Sequence, residues 1–512
     1  MAIQRSAGIL LHISSLPGPF GIGDLGPQAY EYLAWLSEAG MRWWQLLPLG
    51  PTGYGDSPYA PLSSFAGNPL VISPQLLMED GLLTRSELDA ATLPEHGSVQ
   101  YGTVSESKTA LLVLAARRFL DEAGSTERAA FTAFKEENSQ WLNNFVLFAD
   151  IKQHYDNEAS AAGGANSSWN LYWPKELAHR QPEALARWKE KRGRALDLRA
   201  AEQYFFSKQW SQLRARAQAL GIGFIGDLPI FVAMDSADTW AQPRLFDLDE
   251  NLNQKTLAGV PPDYFSEDGQ LWGNPLYAWD EHHKDGYAWW LSRIEASMKL
   301  YDQLRIDHFR GLEASWAVPQ GSLTARNGRW EKAQGQAMLS ALAARVHGQL
   351  PIIAEDLGYI TEPVRDILRQ FQLPGMRILQ FAFDARETGR LDPGNPFLPH
   401  HYPTNCVVYT GTHDNETLAS RIASLSPMER DYMERYLGYK PVDPVSALVR
   451  EAMKSKADLA VIPMQDALGL GPESRMNIPG TLGGNWSWRL TPGQASPESA
   501  RALASMVEAY SR

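Results

Sequence analysis

Short apolar runs rich in β-branched and aromatic residues recur along the chain, several of them separated by stretches with apolar residues at helical spacing. Eight runs read as buried strands: GILLHIS (8–14), WWQLLPL (43–49), FIGDLPIFV (224–232), DQLRIDHF (302–309), PIIAEDL (351–357), RILQFAF (377–383), CVVYTGTHD (406–414) and DLAVIPM (458–464). Near-continuous apolar strands alternating with amphipathic helices belong to parallel sheets covered on both faces. A set of eight predicts the α/β class and a closed (β/α)8, or TIM, barrel. Asp227, Asp307, Glu355 and Asp414 fall in or at the C-terminal ends of these runs, the edge on which such a barrel builds its site. A doubly wound sheet would call for a phosphate-binding signature at a switch in strand order, and none is suitably placed.

The stretch 60–220, between the second and third runs, is too long for a loop and predicts an inserted, mostly helical subdomain beside the barrel mouth. Segments 105–120, 127–155 and 198–220 carry helix formers with apolar residues at helical spacing, and the Gly- and Ser-rich tract 159–169 predicts a mobile turn. A second excursion, 261–277, is dense in Pro, Gly and aromatic residues and predicts a lid. The expected organisation is therefore 1–59 for the first two barrel strands, 60–220 for the insert and 221–512 for the rest of the barrel. After the last run too little chain remains for a C-terminal β-sandwich.

A net charge of −12 without a long basic tract excludes a nucleic-acid backbone as partner, because that binding is driven by Lys and Arg. The first residues carry one arginine and run into a strand and turn, which does not read as a signal peptide, and no apolar segment approaches the roughly 20 residues that span a bilayer. The single cysteine, Cys406, has no partner for an internal disulfide. These features predict a cytoplasmic protein with no membrane partner, so the sequons at Asn166, Asn415 and Asn485 carry no weight. The 17 Trp and 19 Tyr are sufficient for sugar-stacking platforms as well as core.

Glycosidic bond chemistry needs one carboxyl group to protonate the leaving oxygen and another to attack the sugar or activate water. Asp307 ends the fourth run, Glu355 the fifth and Asp414 the seventh, so the first two should meet across the barrel mouth. Each acid alone would suit a helix cap or a buried ion pair; three at strand ends point to catalysis. Strand alternation puts Arg305 on the face of Asp307, where a cation favours the carboxylate. His308 and His413 are candidate donors to sugar hydroxyls. No metal or cofactor is implied. The adjacent His282 and His283 lack zinc-ligand spacing and read as solvated loop, and the basic run 188–199 as a solvated helix face. GIGDLG (21–26) and GIGFIG (221–226) match dinucleotide-fingerprint spacing, but the first is separated from its strand and the second precedes a strand.

LRIDHFRG (304–311), AEDLG (354–358) and THDNE (412–416), in this order, resemble the catalytic regions of the α-amylase clan. GILLHISSLPGPFGIGDLG (8–26), GYGDSPYAPLSSFAGNPL (53–70), QLWGNPLY (270–277) and RMNIPGTLGGNWSWR (475–489) resemble, within that clan, glycoside hydrolase family 77. The resemblance implies a barrel with inserted subdomains and transfer of α-1,4-glucan segments among maltooligosaccharides, amylose or other α-1,4-glucans. It implies Asp307 as nucleophile, Glu355 as general acid and base, and Asp414 as stabiliser of the transition state. Tyr59, Asp227, Gln270, Trp272, Arg305, His308, His413 and Asn477 match positions expected to line the sugar subsites, and 261–274 a flexible loop over the acceptor side. The same three acids would serve an α-glucan hydrolase, and a glucan-binding scaffold without turnover is a further alternative.

Overall fold

The computed structural model describes residues 4–163, 168–263, 266–346, 348–385 and 391–512. Eight parallel strands close into a barrel: β1 (Ser6–Leu10), β2 (Trp43–Gln45), β3 (Gly223–Pro229), β6 (Gln303–Asp307), β9 (Ile352–Ala354), β10 (Gly375–Ile378), β11 (Cys406–Tyr409) and β12 (Leu459–Pro463). Each lies within or overlaps one of the eight predicted runs, and β12 pairs back onto β1 from Ser6↔Leu459 to Leu10↔Pro463. The remaining four strands were not anticipated. Strands β4 (Thr256–Val260), β5 (Gln270–Pro275), β7 (Ala314–Pro319) and β8 (Arg329–Lys332) form an antiparallel sheet in the order β5-β4-β7-β8. The expected lid therefore has a regular side: 270–275 is an edge strand, while the described part of 261–269 is loop, with 264 and 265 outside the described residues.

The strands read as continuous hydrophobic runs because both of their faces are covered. Ile225, Ile353, Met376, Ile378, Val407, Tyr409, Leu459 and Val461 pack together in one cluster inside the barrel. Phe224, Leu304, Ile306, Ile352, Val408, Ala460 and Ile462, one position along, join the larger cluster under the helices. The period of two that separates these sets also aims Asp227, Arg305 and Asp307 inward, two residues apart on their strands.

Segment 74–219 is helical for most of its length, including Tyr101–Glu122, Ser125–Glu137, Ser139–Ala161 and the 38-residue helix Pro182–Ala219. That last helix returns the chain to the barrel: Trp210 packs on Phe224 of β3 at 4.8 Å between ring centroids. Its basic run is not simply solvated, because Arg192 makes two 2.9 Å bonds to the buried carboxylate of Asp150. Part of the tract 159–169 lies outside the described residues. His282 departs from the loop reading as well, being fully buried on helix Trp279–Lys284 among Tyr277, Trp279 and Trp289.

The two glycine fingerprints are packing devices. A Cβ on Gly23 would come within 2.0 Å of the Ile13 carbonyl oxygen, and one on Gly226 within 2.1 Å of the Tyr301 ring. Beyond β12 the described chain holds helices and turns without a strand, ending in helix Pro497–Ala509. No helix among the described residues is long and apolar enough to cross a membrane.

Candidate active site

The centre of the site follows from strand register. Strands β3 and β6 pair with Asp227 opposite Arg305 and Pro229 opposite Asp307. Arg305, almost wholly buried, bridges the two inward carboxylates: Nη1 to Asp227 Oδ2 at 2.6 Å and Nη2 to Asp307 Oδ1 at 2.7 Å. A guanidinium suits this position because its planar fork serves two acceptors at once and it stays charged when buried. Burial works against its charge, and the carboxylates Asp227 and Asp307 outweigh that and hold its pKa well above the ordinary value. Tyr59 OH donates to Asp227 Oδ2 at 2.8 Å, and burial raises Asp227 despite the arginine. Asp227 Oδ1 is buried and has no hydrogen-bond partner among the described residues.

Glu355 stands one residue past β9, on the strand adjacent to β6; the last register pair between them is Ile306↔Ala354. Asp307 and Glu355 thus leave neighbouring strands at the same level. Its Oε2 accepts the His308 backbone N–H and its Oε1 that of Leu357, each at 2.8 Å. Those bonds favour the carboxylate, yet burial, followed by the charge of Asp307, pushes the Glu355 carboxyl up to about 8. His308 sits at φ +52°, a left-handed conformation uncommon for a side chain of this size, at the turn that aims its N–H at Glu355. Burial lowers its imidazole to about 4, and its Nε2 is buried without a hydrogen-bond partner among the described residues.

Asp414 reaches the cleft differently, from a loop five residues beyond the end of β11. The loop is fixed from within: Asn415 Oδ1 accepts from the Thr412 N–H and hydroxyl, and Asp414 N–H donates to Thr412 Oγ1. Asn477 Nδ2 donates to Asp414 Oδ1 at 2.6 Å, and His413 Nε2 lies 3.3 Å from Asp414 Oδ2. Burial would raise Asp414, but His413 and the Asn477 bond outweigh it and hold the carboxyl well below its usual range; in return Asp414 raises His413 against burial. Tyr59 stacks on the His413 ring at 4.7 Å, with Trp486 tilted against both.

The Tyr59 loop is itself held by the long helix: Gln203 exchanges hydrogen bonds with the backbone of Gly67, and Gln209 with that of Ser73. On the other side, Trp272 of β5 meets the His308 ring edge-on at 4.8 Å and donates to Gln270 Oε1 at 3.1 Å. A cleft of about 880 Å³ runs past these groups, lined by Tyr59, Gln270, Trp272, Asp307, His308, His413, Asp414 and Asn477, and Asp227, Arg305 and Glu355 bond to Tyr59, Asp307 and His308 of this lining. That volume is in the upper part of the ~300–1,000 Å³ range of ligand sites.

Eight of the eleven residues singled out in the sequence thus line one cleft, and Asp227, Arg305 and Glu355 are hydrogen-bonded to them. Three contributors were missed. Arg475 ties Asp414 and Asn477 together through their carbonyls, at 2.8 Å each, and Trp486 backs the Tyr59–His413 stack. Both lie in the motif 475–489, from which only Asn477 was taken. His12, past the end of β1, lines a small pocket under the Asp414 loop, and burial and the charge of His413 push it down to about 3. An isolated histidine after an apolar run carries no signal of that placement.

An eight-stranded barrel with a long cleft over its C-terminal rim, floored by carboxylates and one buried guanidinium, defines a (β/α)8 enzyme with an acid-lined site. The family model described as 4-alpha-glucanotransferase (Glyco_hydro_77) matches residues 11–495, and the chain belongs to this family of glucan-transferring enzymes. It is 46% identical to the 4-alpha-glucanotransferase of Thermus thermophilus over 520 residues, covering all of both chains. It is 42% identical to that of a Synechocystis strain, covering 100% of this chain and 99% of the relative. Among solved structures, the amylomaltase from Streptococcus agalactiae in complex with acarbose superposes with a TM-score of 0.92 at 35% identity, covering 99% of this chain and 100% of that one.

Proposed function

We propose that the protein transfers α-1,4-glucan segments by a retaining double displacement in which Asp307 is the nucleophile. Asp307 attacks the anomeric carbon while Glu355 protonates the departing glycosidic oxygen, giving a glycosyl–Asp307 ester and a shortened glucan. The incoming 4-hydroxyl then gives its proton to Glu355 as its oxygen displaces Asp307, so the α configuration is restored. The observation that carries this reading is the unlike setting of two acids on adjacent strands. Asp307 is ion-paired to Arg305, whereas Glu355 keeps its proton up to about pH 8. Adjacent strands lie about 4.8 Å apart, close to the ~5–5.5 Å that retention requires.

Asp414, fixed by Asn477 and His413, hydrogen-bonds the reacting glucose and strengthens that contact as positive charge develops. The unpartnered Asp227 Oδ1 and His308 Nε2 take sugar hydroxyls, which supports a polyol in the cleft over an apolar ligand. Tyr59, Gln270 and Trp272 line the subsites, with Trp272 and the 261–274 loop excluding water so that a sugar hydroxyl outcompetes it. Donors are maltooligosaccharides, amylose or other α-1,4-glucans, the acceptor is glucose or another glucan, and the setting is the cytoplasm. The stretch 60–220 acts as a helical subdomain at the mouth. Replacing Asp307 by Asn abolishes transfer while maltooligosaccharide binding persists; a D307N protein that still transfers glucan contradicts the assignment.

A further inference from the structure

The cleft extends past Trp272 to a wall with no part in the chemistry above. Lys152 and Asp156, from helix Ser139–Ala161, and Asp235, from the loop after β3, line it there. Lys152 Nζ lies 2.6 Å from Asp235 Oδ2 and 3.3 Å from Asp156 Oδ2. The Trp169 backbone N–H donates to Asp235 Oδ1 at 3.3 Å, and Tyr172 OH donates to Asp156. The wall is joined to the Trp272 side of the site: Asn274 Nδ2 donates to the Val232 carbonyl at 2.9 Å, and Phe231 packs on Trp272.

An ammonium has three donors and a carboxylate about four acceptor positions. Lys152 turns its donors on Asp235 Oδ2 and on both oxygens of Asp156, whereas Asp235 is engaged by one N–H and one ammonium, so the carboxylates retain acceptor capacity. The side chains of Lys152, Asp156 and Asp235 also remain 13%, 17% and 29% exposed. Groups locked by their own partners yet unsaturated toward a cleft are preorganised for a ligand. Two carboxylates against one ammonium repel an anion, and the ammonium occupies the place a divalent cation would need. A pair of neighbouring sugar hydroxyls fits, one donating to Asp235 and the other to Asp156 in charge-assisted bonds. Leu62, Ala233 and Met234 offer apolar surface beside them for a pyranose face.

We propose that Lys152, Asp156 and Asp235 form a remote subsite for a glucosyl unit of the acceptor glucan, through which the enzyme reads acceptor length. This rests on the transfer reading of the cleft. The test compares kcat/KM for acceptors from glucose to maltohexaose, with a fixed amylose donor, in the parent and in the Asp235→Asn and Lys152→Met variants, each checked by thermal melting. Asn keeps the shape of Asp235 and an acceptor for Trp169. In both variants the maltohexaose-to-glucose ratio falls about tenfold, the loss of one hydrogen bond to a charged group: Asn removes the charge, and Met frees the carboxylates that Lys152 holds. An unchanged ratio in folded variants overturns the subsite and leaves transfer standing, whereas a parent that transfers to no acceptor overturns the underlying reading. Should Asp235→Asn not fold, calorimetric titration of maltohexaose and maltose into D307N with and without Lys152→Met decides it: weakened binding of the hexaose alone supports the subsite, and equal effects on both refute it.

Discussion

The protonation of Glu355 yields a prediction with two readouts, one on each side of its pKa. As general acid it must carry its proton in the first step, so activity falls tenfold per pH unit above about 8, where burial and the Asp307 charge place its pKa. The stability readout lies on the other side of that pKa. A carboxyl with an ordinary pKa of 4.5 that is raised to about 8 on folding holds its proton more tightly in the folded state. Its contribution to stability is therefore full below about pH 4.5 and is lost as pH rises toward 8. The loss approaches ~1.4 kcal/mol per pH unit in that window.

Glu355→Gln removes the titrating group, at the cost of one bond to the N–H of His308 or Leu357, an offset that does not change with pH. The parent should therefore lose stability relative to E355Q steadily between pH 5 and 8. Denaturant melts at several pH values measure this, and initial rates of maltotriose conversion from pH 5 to 10 measure the activity limb. Parallel stability curves, or a parent rate that stays flat to pH 10, would refute the raised carboxyl and with it the role of Glu355.

Other predictions follow from the same geometry. Arg305→Met strands two carboxylates where one guanidinium served both; breaking a buried pair costs ~3–5 kcal/mol, visible as an earlier thermal transition. Arg305→Lys does not restore activity, because a point charge cannot serve two acceptors in the planar arrangement of the fork; a Lys variant with parent kcat would contradict the triad. Trp272→Ala opens the acceptor side to water, so reducing ends rise relative to transfer products in a maltotriose assay. An unaltered ratio would remove Trp272 from the water-excluding wall.

Burial made the barrel legible. Its strands are covered on both faces, so each is an unbroken apolar run, and every such run identified in the chain contributes a barrel strand. Their C-terminal ends were overextended for one physical reason. Leu11, Ile13, Leu379, Ala382 and Phe383 remain buried after strand pairing ends, so hydrophobicity continues where the ladder does not. The antiparallel sheet escaped notice because its strands are short, its edge strands β5 and β8 are half-exposed, and Gly259 and Gly273 interrupt the alternation that would mark β4 and β5.

In the site, Asp227, Arg305 and Asp307 could be read from strand periodicity, and Glu355 from its place after an apolar triplet. Asp414 was read as the end of the seventh strand run, but strand pairing stops at Tyr409 and the residue projects from a loop whose shape depends on Thr412 and Asn415. The bonds that orient these groups, such as Arg475 to the Asp414 carbonyl 61 residues earlier, are contacts no local pattern encodes.

The most direct test of the account is to incubate the purified protein with maltotriose, resolve the products by chromatography and follow total reducing ends in the same samples. The account predicts a ladder of longer oligosaccharides together with glucose or maltose, at constant reducing ends. A rise in reducing ends with only shorter products would contradict it and make the protein a hydrolase.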